Sequence, residues 1–228
     1  MILIPTQSQM SRKRTGVRVQ SMNDVMGVVL AGGLATRMGG GDKSLLSLSG
    51  QPILSHVLDR LTPQVSSVVL NANGPPERFA TFGVPVIADQ LTGHLGPLAG
   101  VHAAMMEAKS QGVAWIASVA GDSPFFPDDF VNRCYQAASD VSAPVVLASS
   151  YDPDHERWMR HPTFGLWSVD LCDALGDALL KGVRKIVMWT DSVGGITVEF
   201  PTPEGELDPF FNVNTPEDLQ VANQRAVK

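Results

Sequence analysis

The sequence predicts an α/β protein, a three-layer αβα sandwich built on a mostly parallel sheet. Three observations lead there. Short β-branched runs alternate with helical patterns, and the strand-like runs are apolar on both faces, as in a sheet covered on both sides. Several of these runs end directly in glycine, asparagine or aspartate, where such sheets bind ligands. No repeat, low-complexity tract or linker divides the chain, so a single domain over 26–228 is expected.

The elements follow in order. Residues 1–25 start apolar and then carry Arg12, Lys13, Arg14 and Arg18 with no acid before Asp24. A secretory signal has its charges before the apolar run, so a disordered tail is expected instead. Gly27 to Ala31 is a buried strand that stops at glycines. Gln51-Pro52 should open a helix with proline in its first turn, and Ile53, Leu54, Val57, Leu58 and Leu61 supply its buried face. Val65 to Leu70, Val84 to Ile87 and Ala114 to Ala120 are strands. Between the last two, Leu98 to Lys109 is helical, with Val101, Met105 and Ala108 on one side. Pro127-Asp128-Asp129 should start a helix with acids in its first turn, where the helix dipole favours them. Ala143 to Ala148 and Ile196 to Phe200 are strand-like, and Val169 to Leu180 is helical. Thr215-Pro216-Glu217-Asp218 caps a last helix.

Composition excludes several classes of function. Hydrophobic residues make up 44% and charged residues 18% of 228, which rules out wholesale disorder. The net charge of −6 disfavours binding nucleic acid by general phosphate neutralisation. Any phosphate chemistry must then rest on a few placed cations. Cys134 and Cys172 cannot make a disulfide framework and fit a reducing compartment, the cytoplasm. No apolar run is long enough to span a membrane.

The chemistry is concentrated after the strands. Leu30-Ala31-Gly32-Gly33-Leu34-Ala35-Thr36-Arg37-Met38-Gly39-Gly40-Gly41-Asp42-Lys43 combines glycines with two cations, as suits a loop that wraps a polyphosphate. A P-loop would need Gly-Lys-Ser, but Asp42 intervenes, and no G-x-G-x-x-G is present. Asp122, at the carboxyl end of an apolar strand, can face a cation across a cleft. Asn71-Ala72-Asn73-Gly74 also reads as a turn. Asn212 and Asn214 alternate along an extended segment and share a face. Asp152, Asp154, His155 and Glu156 read as a solvated loop rather than a metal cluster.

The glycine-rich loop resembles the signature loop of the nucleotidyltransferases, and more narrowly of the molybdenum cofactor guanylyltransferases. The resemblance continues through Asn71-Ala72-Asn73, Asp89, Gly96-Pro97-Leu98-Ala99-Gly100, Asp122-Ser123-Pro124, His161-Pro162-Thr163 and Asn212-Val213-Asn214-Thr215-Pro216. It implies a Rossmann-like nucleotidyltransferase fold that joins GMP, from GTP and Mg2+, to molybdopterin. It also implies nucleotide contacts at Leu30, Ala31, Gly32, Lys43, Asn71, Asp89 and Asp122, with Asp122 as the metal ligand. Arg37, Lys43 and Asp122 would be catalytic, and His161, Asn212 and Asn214 would serve a pterin or metal site. Implied partners are GTP, molybdopterin or Mo-molybdopterin, molybdoenzyme-specific chaperones and other cofactor-synthesis proteins, with no nucleic acid and no membrane. The sequence departs from the family in Ala120-Gly121, where other members carry other small residues, often Pro-Cys, before the acid. Two other functions remain open. One is a cytidylyltransferase on molybdopterin or another phosphate acceptor, although Leu30-Ala31-Gly32-Gly33 rather than Leu-Ala-Ala-Gly points by resemblance to guanine. The other is a non-catalytic carrier, which would have no need of Arg37, Lys43 and Asp122 together.

Overall fold

The strand β1 (Val25–Leu30) is buried along its length and pairs in parallel with β4 (Ser67–Asn71) on one side and β6 (Trp115–Ala120) on the other. The computed structural model describes residues 24–32, 42–91, 93, 96–153 and 155–226. The expected N-terminal tail and Arg37 therefore lie outside the described residues. Beyond β4 the sheet ends in the short β5 (Val86–Ile87). Beyond β6 come β8 (Arg157–Ser168), β7 (Val145–Asp152) and β9 (Ile196–Glu199), giving the order β5-β4-β1-β6-β8-β7-β9. Only β8 is antiparallel to its neighbours. The sheet is mostly parallel, as expected.

Alternation along β1 explains the two helical layers. Val25 and Val29 face one core, with α1 (Ile53–Leu61) and α3 (Phe130–Val141), while Met26 and Val28 face the other, with α2 (Pro97–Ser110) and α4 (Cys172–Leu180). Gly27 lies on the α1 side, and a Cβ there would come within 2.9 Å of the Leu61 side chain. Its absence lets α1 pack directly on the central strand. α5 (Ile186–Ser192) lies on the α2 side, its Trp189 ring 6.2 Å from that of Trp167. α6 (Pro216–Ala226) joins the α1 side through Ala222. Its cap is the one expected from sequence: Asp218 N–H donates to Thr215 Oγ1 at 3.1 Å, and Asp218 Oδ2 accepts from the Thr215 N–H at 2.9 Å.

Several local expectations are corrected. Pro52 does not enter α1 but sits just before it in extended backbone, because Gln51–Pro52 (β3) pairs with Ser47–Leu48 (β2). Asp128 and Asp129 stop short of α3, whose first turn holds no acid; Asp128 instead pairs with Arg60 at 2.8 Å. α2 is buried on most sides rather than one, because α4 covers its second face and small residues such as Ala99, Ala103 and Ala104 allow close approach.

β8 and α5 are absent from the sequence reading. β8 is masked by Pro162 and by a polar stretch from Arg157 to His161. Its pairing with β7 jumps from Leu147–Gly165 to Ala148–His161, leaving residues 162–164 as a bulge. Proline is tolerated there because its missing N–H has no ladder position to fill. Ser118 Oγ donates to the bulge carbonyl of Thr163 at 2.9 Å and accepts from Trp167 Nε1 at 2.9 Å. Among the described residues no helix is long and apolar enough to cross a membrane.

His102 of α2 is buried against Gly176 of α4, and its Nδ1 has no hydrogen-bond partner. Burial lowers its pKa, with Asp173 opposing in part. The folded state therefore binds this proton less readily than the unfolded one. Its contribution is intact above the unfolded value of about 6.5 and is lost as pH falls below it. His161, also lowered by burial, acts in the same sense. Melting curves from pH 8 down to 5 are expected to show a steeper acid loss for the native chain than for His102→Leu. Parallel curves would remove His102 from the acid limb.

Candidate functional site

Three strand ends converge at the carboxyl edge of the sheet. Ala31 N–H donates to Asn71 O at 2.9 Å, and Gly121 N–H donates to Leu30 O at 3.1 Å. These bonds set the ends of β1, β4 and β6 side by side. A Cβ on Gly121 would lie 3.3 Å from the backbone of Leu30 and Ala31, so the glycine that departs from the family pattern suits this close approach. The result is a cleft of about 480 Å³. Leu30, Gly32, Asn71, Asn73, Asp89, Gly96 and Pro97 line one end, and Ala120, Asp122, Thr163 and Asn212 the other. The amino end of α2 opens on it, favouring an anion. Gly96 holds the entry at φ 73°, a conformation glycine adopts without strain.

At the first end, Asp89 is held by two amides. Asn71 Nδ2 donates to Asp89 Oδ1 at 3.0 Å, and Asn73 Nδ2 donates to Asp89 Oδ2 at 2.8 Å. Asn73 Oδ1 accepts from the Asp89 N–H at 3.0 Å. Asn71 is buried, and its side-chain oxygen abuts Gly100 of α2. The segment is therefore more than a turn. It fixes a carboxylate that lines the cleft.

At the other end Lys43 meets Asp122. Lys43 leads a 3-10 turn (Lys43–Leu45), and its Nζ lies 3.6 Å from Asp122 Oδ2 while donating to Asn214 Oδ1 at 2.5 Å. Burial pushes the Asp122 carboxyl up from its ordinary value, and the nearby Lys43 offsets this only in part. The C-terminal segment is brought in by backbone: Val213 N–H donates to Asp122 O at 2.9 Å. Of the two residues flanking buried Val213, Asn212 reaches the Asp122 loop, its Oδ1 accepting from Ser123 Oγ, while Asn214 reaches Lys43. Phe210 anchors that segment in a cluster with Phe164 at 4.8 Å and Phe200 at 5.3 Å.

His161 lies outside the lining of the cleft. Its ring stacks on Phe210 at 4.5 Å, and its Nε2 hydrogen-bonds Ser150 Oγ at 2.6 Å. Thr163, two residues on in the bulge, reaches the cleft instead. His155 pairs with Asp152 in the β7–β8 turn.

Arg78 is a site residue that sequence patterns did not reveal. Its Nε pairs with Asp42 at 2.7 Å, and a terminal nitrogen donates to Asn73 O at 2.7 Å. It thereby ties the start of the Lys43 turn to the segment that clamps Asp89. No motif marks it, since its carboxylate partner Asp42 is remote in sequence.

A divalent cation fits the Asp122 end. The carboxylate is under-compensated, and Asn212 offers a neutral oxygen beside it. Among the described residues no cluster of three or more His, Cys, Asp or Glu is present. A single carboxylate is not a deficiency for a hard cation such as Mg2+, which takes one or two and fills the rest of its shell with water and phosphate oxygens.

The doubly covered parallel sheet, with its ligand cleft over the strand ends and its lysine and aspartate facing each other there, defines a nucleotidyltransferase. Residues 27–193 match the family described as the MobA-like NTP transferase domain. The chain is 45% identical over 203 residues to the molybdenum cofactor guanylyltransferase of Nitrobacter hamburgensis, covering 88% of this chain and 93% of that protein. It is 39% identical over 202 residues to that of Yersinia pestis, covering 89% and 96%. The crystal structure of molybdopterin-guanine dinucleotide biosynthesis protein A from Archaeoglobus fulgidus shares the fold, with a TM-score of 0.70, 24% identity and coverage of 89% and 98%. The chain belongs to the molybdenum cofactor guanylyltransferase family, and the protein is an enzyme.

A Cβ on Gly100 would stand 2.1 Å from Asn71 Oδ1 and 2.8 Å from the Leu30 side chain. Gly100→Ala is expected to displace Asn71 and loosen its bond to Asp89, at a cost of about 1–3 kcal/mol in stability. Nucleotide affinity should fall as well. Calorimetric titration beside a melting curve tests this, and unchanged affinity would detach Asn71 from the binding site.

Proposed function

We propose that the protein transfers GMP from GTP to the terminal phosphate of molybdopterin, with or without bound molybdenum, and releases pyrophosphate. The observation that carries this reading is the facing pair Lys43 and Asp122 at one end of a cleft whose other end is the Asn71–Asp89–Asn73 clamp. The family of the chain supports the choice of both substrates. The cytoplasm is the compartment proposed, and residues 26–228 are proposed as the one domain.

The base lies at the clamp. The Asp89 carboxylate, steadied by the two asparagine amides, accepts from the paired donors on the edge of guanine, N1–H and the 2-amino group. Cytosine presents an acceptor at N3 beside its amino group, which would leave that carboxylate facing another acceptor. The triphosphate runs towards Lys43, and the part proposed for Arg37, which lies outside the described residues, rests on the family resemblance alone. The acceptor phosphate approaches over Thr163, Asn212 and Asn214.

The attacking phosphate oxygen is already ionised at neutral pH, so no general base is required. Catalysis rests on alignment and on charge neutralisation. Lys43, fixed by Asn214, stabilises charge that moves onto pyrophosphate. Asp122 and the Asn212 side-chain oxygen would hold Mg2+, which would supply positive charge to the reacting phosphates.

Incubation with molybdopterin and each of the four nucleoside triphosphates, following pyrophosphate release, tests the reading. GTP should be preferred, and equal kcat/KM for CTP would overturn guanine recognition while sparing nucleotidyl transfer. Asp122→Asn should lower turnover by about two orders of magnitude or more. Its apo melting temperature should hold or rise, because an under-compensated buried charge is removed. Full activity in this variant would place the metal elsewhere.

A further inference from the structure

Ser44, the residue after Lys43, is 3% exposed, and its hydroxyl has no hydrogen-bond partner. It borders a second, smaller cavity of about 30 Å³, lined also by Leu30, Ala31, Lys43, Gly121 and Asp122. Two of these residues, Leu30 and Asp122, also line the main cleft. A space this size holds one water-sized atom.

A buried hydroxyl without a partner is costly, and alanine would avoid that cost in the same backbone conformation. The hydroxyl is therefore informative about what occupies the cavity in the working enzyme. The occupant must accept a hydrogen bond from Ser44 Oγ and sit beside the Lys43 ammonium. It must also tolerate the Asp122 carboxylate opposite, which an anionic oxygen does beside the Lys43 ammonium that faces that carboxylate at 3.6 Å. A phosphate oxygen meets all three conditions.

We propose that Ser44 is a further nucleotide-binding residue, its hydroxyl donating to a phosphate oxygen of the triphosphate in the cavity shared with Lys43 and Asp122. The proposal rests on the nucleotidyl-transfer reading and extends it to a residue beyond the glycine-rich loop and its lysine. It also gives a use to the serine that follows Lys43 although the spacing is not that of a P-loop. The backbone is turned there by the 3-10 segment Lys43–Leu45, which sends the Ser44 side chain inward while Lys43 spans to Asn214.

The test uses the full chain and its Ser44→Ala variant, with calorimetric titration of GTP and of inorganic pyrophosphate, each with Mg2+ and with EDTA. Ser44→Ala should melt at or above the wild-type temperature and bind both ligands about tenfold more weakly, with or without the metal. Should Ser44→Ala melt lower, Ser44→Cys, which keeps the volume but donates poorly, carries the same comparison. Equal affinity in variant and wild type would overturn the proposal and leave nucleotidyl transfer standing. A loss seen only with Mg2+ would assign the hydroxyl to the hydration shell of the metal and overturn the phosphate contact. A wild-type chain that binds neither ligand would overturn both readings.

Discussion

The molecule depends on the in-register parallel pairing of β1 between β4 and β6. In this pairing Leu30 lies opposite Asn71 on one side and Ala120 on the other, so three strands finish level. Parallel strands all point their carboxyl ends the same way, and the loops that follow must emerge together. The bonds from Ala31 to Asn71 and from Gly121 to Leu30 carry that alignment one residue beyond the sheet. A slip of one residue would turn Asn71 and the core-facing valines to opposite faces. The apolar burial on both sides of β1 therefore also places the polar groups of the cleft.

Charge in the cleft is arranged with little to spare. Asp122 is largely withdrawn from water, and its carboxyl is pushed up by burial. The Lys43 ammonium stands 3.6 Å from it and makes its closer contact, at 2.5 Å, with Asn214. A closer Lys43–Asp122 pair would stabilise the empty protein and compete with any cation or phosphate arriving between them. The separation keeps both charges available at some cost in stability, as functional sites often do. At the other end the opposite strategy holds, for each Asp89 carboxylate oxygen is already held by an asparagine amide.

The antiparallel β8 completes the cleft. Its bulge at 162–164 carries Thr163 to the mouth, and buried Ser118 satisfies the carbonyl that the bulge frees. The aromatic cluster of Phe130, Phe164, Phe200 and Phe210 then ties β8, the end of β9 and the C-terminal segment to one core. Through Phe210 that cluster brings Asn212 to Ser123, 89 positions away in sequence, and Asn214 to Lys43, 171 positions away. Packing energy far from the chemistry thus sets the position of polar groups within it.

The sequence by itself determined the doubly covered parallel sheet, the loops that would carry chemistry and the cap of the last helix. Those features are local: β-branched runs, glycine stops and the Thr215–Asp218 box are read within a few residues of themselves. It also marked Lys43, Asp122, Asn71, Asp89, Asn212 and Asn214, because each ends a strand or stands in a recognisable motif. Tertiary structure alone decided that Asn71 and Asn73 grip Asp89, that Asn214 takes the Lys43 proton bond, and that His161 turns away onto Phe210. It alone revealed β8, whose proline and arginines conceal a strand until its bulge is seen, and Arg78, whose partners come from separate loops. The division has a physical cause. Propensity and periodicity are properties of neighbouring residues, whereas hydrogen bonds between side chains depend on which distant segments the packed core brings within about 3 Å.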